Sequence, residues 1–403
     1  MGVNSYPWHI GSLPFVFKPL LEPSNGGDIP DFLPFSLDID KKTGTLIQSK
    51  NKYVEKILSK AYLTGSEISG MMDDHGIGEL YAQDFIKFLN KTLKTDNFKN
   101  LKILEIGCGT GYLLYQLKNR GADVIGIEPG LQGQIGAERF KIPIVRDFFP
   151  SSKITGKFDI IILYAFLEHI PDISQFFKEV MKYLNQNGKM FISVPDCEPY
   201  IKTGDLSFIF HEHWSFFTSD TLQNSITLST KLAGDIKKSH FGGLLYASIL
   251  SNDLKKQPDD NAIESQKILA KQFQILAQND LEKITDFFKS ATQHKYTMGV
   301  FVPGRAINIL SLIKSRIDLP KLRFFDDNPV LYRTYYPGFN VPIENRQELV
   351  RDPPELLIIF THSFGEKIKR ELGDSLKDLR IITWDDLFIN QNVNDINLIS
   401  KKE

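Results

Sequence analysis

Residues 104–111, L-E-I-G-C-G-T-G, set a carboxylate, Glu105, just ahead of three glycines that alternate strictly, Gly107, Gly109 and Gly111. The stretch follows the apolar residues Leu101, Ile103 and Leu104 and opens onto 112–117, whose spacing predicts a helix packed on a sheet. A strand, a glycine turn and a helix in that order let the backbone pass close to a ligand. A dinucleotide fingerprint would need its third glycine three positions after the second, and these are evenly spaced. Glu105 points the same way, since a carboxylate at a strand tip repels a pyrophosphate and attracts an amino group. Glu128 closes the next apolar run 23 residues further on, followed by Pro129. A carboxylate there can accept from both hydroxyls of a ribose. Asp147 and Phe148 end a third run and suit an adenine, amino group to carboxylate and ring on ring; a turn-capping Asp147 is the other reading. Ala165 and Phe166 follow the nearly continuous apolar strand 158–163, at the edge where open α/β sheets hold ligands. Cys108, inside the glycine turn, reads as a small packing residue.

The second chemical stretch is His211-Glu212-His213. Histidine suits proton abstraction because its ordinary pKa lies near neutrality. A strand-like backbone would put both histidines on one face and Glu212 on the other. Two other readings stand beside this one. A histidine amid Phe208, Phe210, Trp214, Phe216 and Phe217 could be a satisfied core residue. An H-x-H pair could ligate a metal, but no third ligand is recognisable nearby, and no metal is expected.

With 403 residues the chain has room for about two or three domains. Its 42% hydrophobic and 24% charged residues are those of an ordinary globular protein, and a net charge of −1 gives no global field toward nucleic acid or an anionic membrane. Cys108 and Cys197 are the only cysteines, which excludes a disulfide framework and an all-cysteine zinc site within one chain. Lys18 and several prolines interrupt any signal-peptide pattern, Tyr6 stands where myristoylation needs Ser or Thr, and no uncharged run reaches membrane-spanning length. The expected location is the cytoplasm.

Along the chain, Phe35, Leu37 and Ile39 alternate with polar residues as in a half-buried strand, 41–44 reads as a turn into 45–47, and 62–66 as a loop. A helical period runs through 76–93. After strand 158–163 comes a helix at 173–184 closed by Asn187-Gly188-Lys189, then a strand at 190–194. Residues 231–252 read as two strands around Ser239-His240-Phe241-Gly242-Gly243, and 263–288 as a long helix. From Thr297 onward strands (297–302, 322–325, 356–360, 380–383) alternate with helices (305–315, 364–372), which argues a second parallel sheet. The expected division is a small β-rich unit at 1–75, a Rossmann-like α/β cofactor domain at 76–253 and a second Rossmann-like α/β domain at 254–403.

The acid-x-G-x-G-x-G turn resembles motif I of class I S-adenosylmethionine (AdoMet) methyltransferases. Most of the chain resembles, more narrowly, the three-domain AdoMet-dependent C-methyltransferases of nucleotide-linked 4-keto-6-deoxysugars. The likeness rests on E-I-G-C-G-T-G, on H-E-H-W-S-F-F at 211–217, on His240 with Gly242-Gly243, and on F-D-D-N-P at 325–329 with Y-Y-P-G-F-N-V-P-I at 335–343. It implies AdoMet as cofactor, a small nucleotide-sugar substrate, His213 as base, Glu212 as an orienting group, Tyr62 on the active-site wall, and a C-terminal domain that helps form the substrate pocket. His211 joins them as a candidate.

Three departures stand out. The family's N-terminal zinc domain uses four cysteines, and this region has none, although 46–50 and 62–66 look like its remnants. Phe210 replaces a tyrosine just before His-Glu-His, and Arg305 replaces a lysine in the loop 299–306. The alternatives to carbon methylation are methylation of a sugar or glycan hydroxyl, and a cofactor-binding subunit without catalysis.

Overall fold

The computed structural model describes residues 6–64, 72, 74, 76–250, 255–361, 365–373, 376 and 379–388. The first sheet holds β1 (Trp8–Pro14), β2 (Phe32–Ile39) and β3 (Leu46–Gln48), each antiparallel to the next. In β2 the alternation of the sequence turns Leu33, Phe35 and Leu37 inward. Asp40 Oδ1 accepts from the backbone N–H of Lys42 (2.7 Å) and Thr43 (3.1 Å), which fixes the turn into β3. A fourth strand, β9 (Ser215–Phe216), joins from far along the chain, with Leu46 opposite Phe216 and Ile47 opposite Ser215.

The central sheet contains β4 (Lys102–Ile106), β5 (Asp123–Ile127), β6 (Ile144–Val145), β7 (Phe158–Tyr164), β8 (Leu184–Pro195), β10 (Asp235–Lys238) and β11 (Leu244–Leu250). Their spatial order is β10-β11-β8-β7-β4-β5-β6. The strands from β4 to β8 are parallel, while β11 runs against β8 and β10 against β11. This is the Rossmann-like sheet expected of a class I methyltransferase. The chain first winds from β4 outward through β5 to β6, then crosses back to β7 on the other side of β4. The carboxyl ends of β4 and β7 therefore flank the switch point at which open sheets form a ligand crevice.

The third sheet, β12 (Met298–Phe301), β13 (Leu322–Phe325), β14 (Ile343–Glu344), β15 (Leu356–Ile359) and β16 (Arg380–Thr383), is parallel throughout, in the order β14-β13-β12-β15-β16. One hydrophobic core joins it to the first sheet. Trp8, Phe35 and Leu37 share it with Phe208 and Phe216, with Phe273 from the helix Asp260–Gln293, and with Val300 and Leu310.

Four local expectations give way to tertiary structure. Tyr62 to Thr64 belong to α1 (Lys52–Thr64) rather than to a loop, and Gly65 and Ser66 lie outside the described residues. Asn187 to Lys189 do not end a helix; they lie inside β8, where Lys189 pairs with Ile160 on one side and Leu250 on the other. The third strand is only two residues long. Residues 211–213 form a turn, with the His213 N–H donating to the Phe210 carbonyl at 3.1 Å, so the two histidines do not share a strand face.

Phe216 is fully buried, pairs with Leu46 and meets the Phe208 ring edge-on at 5.1 Å. Phe216→Ala should lower the unfolding free energy of the first sheet by about 3–5 kcal/mol, and Phe216→Leu by much less. Urea denaturation followed by Trp8 and Trp214 fluorescence measures this. Equal midpoints for wild type and the alanine variant would contradict the packing role.

Candidate active site

The glycine turn leaves β4 and hooks over β5. The N–H groups of Gly107 (2.8 Å) and Cys108 (3.3 Å) both donate to the Ile127 carbonyl. A Cβ on Gly107 would fall 2.1 Å from the Phe166 ring, so only glycine fits beneath that aromatic side chain. Gly109, at φ +52°, has open space where its Cβ would stand, which leaves the backbone free to touch a ligand. Cys108 is buried against Gly126 and burial pushes its thiol up, so it packs rather than reacts. Ala165, at φ +46°, turns the chain at the end of β7 with its N–H on the Ser193 carbonyl (2.9 Å).

Glu105 and Glu128 are both buried. Glu128 Oε1 accepts from Gly130 N (2.9 Å) and Gln132 Nε2 (3.1 Å), and its Oε2 accepts from Gly109 N (3.2 Å). It ties the glycine turn to the loop that carries Pro129. Burial raises its carboxyl, and the two backbone N–H groups oppose the rise. Glu105 Oε2 has no hydrogen-bond partner. Burial first, and Glu128 second, hold its carboxyl well above the usual range. A buried carboxylate oxygen left without a donor fits a ligand ammonium group, and the glycine edge beside Glu128 fits the ribose of AdoMet.

Asp147 takes the capping role instead of standing free for an adenine. Its oxygens accept from Phe148 N (2.9 Å) and Ser151 Oγ (2.8 Å), with Lys153 Nζ at 3.3 Å. The Ser151 hydroxyl is the main cause of its lowered pKa. Phe148 remains exposed, with a ring face open for stacking.

A second group of side chains gathers at the same sheet edge. Leu167–His169 forms a short 3-10 turn after β7. His169 Nδ1 lies 2.9 Å from the Glu212 carbonyl and 3.1 Å from the Tyr62 hydroxyl. A carbonyl can only accept, so in the neutral ring Nδ1 carries the proton and Nε2 the lone pair. The His213 ring stands edge-to-face on His169 with centroids 5.0 Å apart, and Phe210 lies 6.1 Å from His213. Burial lowers His169 to about 4 and holds His213 well below its usual value, with His169 the second cause. Burial also raises the Tyr62 hydroxyl, and the charges of Glu212, Glu168 and Glu128 add to the effect. The two groups share the carboxyl edge of the central sheet, one after β4 and β5 and the other after β7.

His211 is not among them. Its Nε2 donates to the Leu33 carbonyl (3.0 Å), and its ring meets Phe15 and Phe35 edge-on. It is the satisfied core histidine, because the turn at 211–213 aims it into the first sheet. Glu212 is buried beside the group. Gly242 and Gly243 cap the β10–β11 hairpin at the same edge, where the Asp196 N–H donates to the Gly243 carbonyl (2.9 Å) and the His240 N–H to Asp84 (3.1 Å). The Arg305 side chain lies outside the described residues. The resemblance to methyltransferases implies that Leu167-Glu168-His169 lines the cofactor pocket rather than acts in catalysis, and nothing in the sequence ties His169 to His213, 44 positions away.

Residues 77–226 match a family model described as a methyltransferase domain. This span runs from the helix before β4 to the segment after the His-Glu-His turn and holds every cofactor-site candidate named above. Within its curated relatives, the chain is 38% identical over 103 residues to the ubiquinone biosynthesis O-methyltransferase of Pelagibacter ubique, covering 24% of this chain and 42% of that protein. It is 30% identical over 132 residues to the protein of the same name from Idiomarina loihiensis, covering 30% of this chain and 51% of the relative. The chain thus spans about half the length, or less, of these relatives. Among solved structures, the 1,6-didemethyltoxoflavin-N1-methyltransferase of Burkholderia thailandensis overlays with a TM-score of 0.38 at 15% identity, over 52% of this chain and 96% of that one. That overlay carries no weight here, and the fold rests on the strand order itself.

Glu105 sets a pH dependence. Burial favours its neutral form without ligand, and a cationic amino group at Glu105 would favour the carboxylate, so binding there would draw off a proton. AdoMet affinity should therefore rise with pH until the raised pKa is passed and then level off. Calorimetry in buffers of different ionisation enthalpy should detect the released proton for wild type and none for Glu105→Gln, whose affinity drops by about 1.5–3 kcal/mol. Equal proton release from the variant would contradict the assignment.

Proposed function

We propose that this chain is an AdoMet-dependent methyltransferase that methylates a carbon of a nucleotide-linked keto-deoxysugar, with His213 as general base. The observation that carries this reading is the meeting of Tyr62, His169, Glu212 and His213 beside Glu128 and the glycine turn. AdoMet supplies the electrophilic methyl group when bound. Glu105 holds its amino group, Glu128 its ribose, and Phe148 stacks on its base; Phe166 and Ala165 shape the wall.

Carbon next to a ketone becomes nucleophilic only after it loses a proton. His213, kept neutral by burial, has its lone pair available at neutral pH for that step. Tyr62, a phenol at neutral pH, donates in this reading to the oxygen on which charge develops; its support is the hydroxyl's position 3.1 Å from His169 Nδ1. Phe210 supplies an apolar ring where relatives of this type carry a hydroxyl, so Tyr62 bears more of that task. His169, fixed by the Glu212 carbonyl, orients the pair. The division at 1–75, 76–253 and 254–403 belongs to this reading. Its support is a cleft of about 390 Å³ at the carboxyl ends of the third sheet, where Asp326 and Thr361 face Tyr200 and Ser207 of the central part. Methylation of a sugar or glycan hydroxyl is the second reading, favoured by the O-methyltransferase names of the relatives.

In heavy water, with S-adenosylhomocysteine (AdoHcy) replacing the methyl donor, the protein should exchange deuterium into the carbon beside the ketone of a 4-ketosugar nucleotide. His213→Gln should lose that exchange by roughly 10²–10⁴-fold while binding AdoHcy normally. A methyl ether formed by wild type without any exchange would hand the case to hydroxyl methylation.

Glu128→Ala tests the cofactor half separately. Loss of its charge-assisted hydrogen bonds should weaken AdoMet by about 1.5–3 kcal/mol. Unchanged affinity by calorimetry would remove Glu128 from the ribose.

A further inference from the structure

Glu168 sits beside the histidines, and among the described residues only a backbone N–H opposes the effect of its burial. It is 1% exposed, and its Oε2 has no hydrogen-bond partner. Among the described residues its one ion-pair neighbour is His169 Nε2, at 3.9 Å from Oε1. Burial pushes its carboxyl up to about 8, and no lysine or arginine opposes that rise. His169 presents the lone pair of Nε2 to this carboxyl, because Nδ1 spends its proton on the Glu212 carbonyl. His213 completes the group, and one ligand atom from each of the three residues lies within 4.8 Å of the others.

We propose that Glu168, His169 and His213 form a binding site for a divalent transition-metal ion of the zinc class. Two neutral imidazoles and one carboxylate are a donor set for such an ion, and imidazole ligands disfavour magnesium and calcium. The Nδ1–H to carbonyl bond on His169 is the outer-shell contact that commonly fixes a ligating histidine. In a tetrahedral site with bonds of about 2.0–2.1 Å, ligand atoms stand roughly 3.4 Å apart. The observed group is therefore an open form that an ion draws in by about an ångström. A cation is also the species that satisfies all three groups together: it takes both lone pairs and gives the buried carboxylate its counter-charge. The third ligand, invisible beside His-x-His in the sequence, comes from the 3-10 turn after β7.

Occupancy would take the lone pair of His213, so the ion inhibits methyl transfer without touching the cofactor half. That consequence rests on the proposed base; the binding does not.

The test uses the full chain stripped by a chelator and titrated calorimetrically with zinc chloride, with magnesium chloride as control. Wild type should bind one zinc at micromolar or tighter affinity and no magnesium. Glu168→Gln and His169→Gln should each lose roughly tenfold or more, while AdoHcy binding stays at the wild-type value and reports an intact fold. His9→Gln, which removes an exposed histidine, should change nothing. No zinc uptake, or equal uptake by wild type and the Glu168→Gln/His169→Gln double variant, would overturn the site. Should the variants fail to fold, cobalt added to wild type decides: visible bands of a low-symmetry site support the proposal, and the spectrum of the aqueous ion alone overturns it. Stoichiometric zinc should also suppress the deuterium exchange. Zinc bound with exchange unaltered would remove the inhibitory consequence, and a protein showing no exchange at all would sink the sugar reading while calorimetry still judged the site.

Discussion

The arrangement depends on one strap, residues 209–216, which is held by the first sheet, by the 3-10 turn after β7 and by the helix after β12. The His211 ring donates to the Leu33 carbonyl of β2, and Ser215 and Phe216 pair with β3. The Trp214 N–H donates to the Glu168 carbonyl of the central unit at 2.7 Å, and Asn308, from the helix after β12, donates to the Ile209 carbonyl. Between these anchors the chain must turn, and the turn places His213 and the Glu212 carbonyl against His169. Hydrogen bonds of this kind contribute only about 0.5–1.5 kcal/mol each, but a buried group left unpaired costs more than its bond provides. The strap is therefore over-determined by groups that all need their partners.

The electrostatics follow from where those anchors put charge. Glu105, Glu128 and Glu168 are acids buried along one sheet edge, and none of them forms a salt bridge with a lysine or arginine among the described residues. The backbone N–H groups of Gly109 and Gly130 compensate Glu128 in part. Glu105 and Glu168 each keep an oxygen without a donor. Burial of this kind penalises the charged form of a carboxyl, and a nearby cation favours it. Such an edge is set up for cationic ligands, which is why a sulfonium cofactor carrying an amino group suits one end and a metal ion the other.

Much of this was legible in the sequence. The alternating glycines after an apolar run, with an acid before them and another at the next strand end, marked the strand, turn and helix at the switch point because backbone geometry acts there over a few residues. The long helix Asp260–Gln293 and the strands β12, β13, β15 and β16 were equally plain, whereas the two-residue β14 and the short helix Arg346–Arg351 offer too few residues to show a period. What failed was non-local. Lys189 reads as a helix end until β7 and β11 claim it from both sides. His211 and His213 read as partners until the first sheet claims one of them. His169 joined the site only through a fold that brings together residues 44 positions apart.

The first sheet shows the same logic at the level of packing. Its strand β2 turns Leu33, Phe35 and Leu37 to one apolar face, and that face needs cover. It borrows β9 from the central part of the chain and shares its inner face, Trp8, Phe35 and Leu37, with Phe273 of the long helix and Leu310 beyond it. Its smaller core closes on Trp214 of the strap, together with Phe15, Leu33 and Leu58. The first sheet therefore fixes the strap from both ends, through Leu33 to His211 and through Leu46 to Phe216. Between those points lies His213. A cavity opened under Leu33 or Phe35 would loosen His213 before it loosened the glycine turn, because the turn is held by Ile127 and Glu128 on a different core.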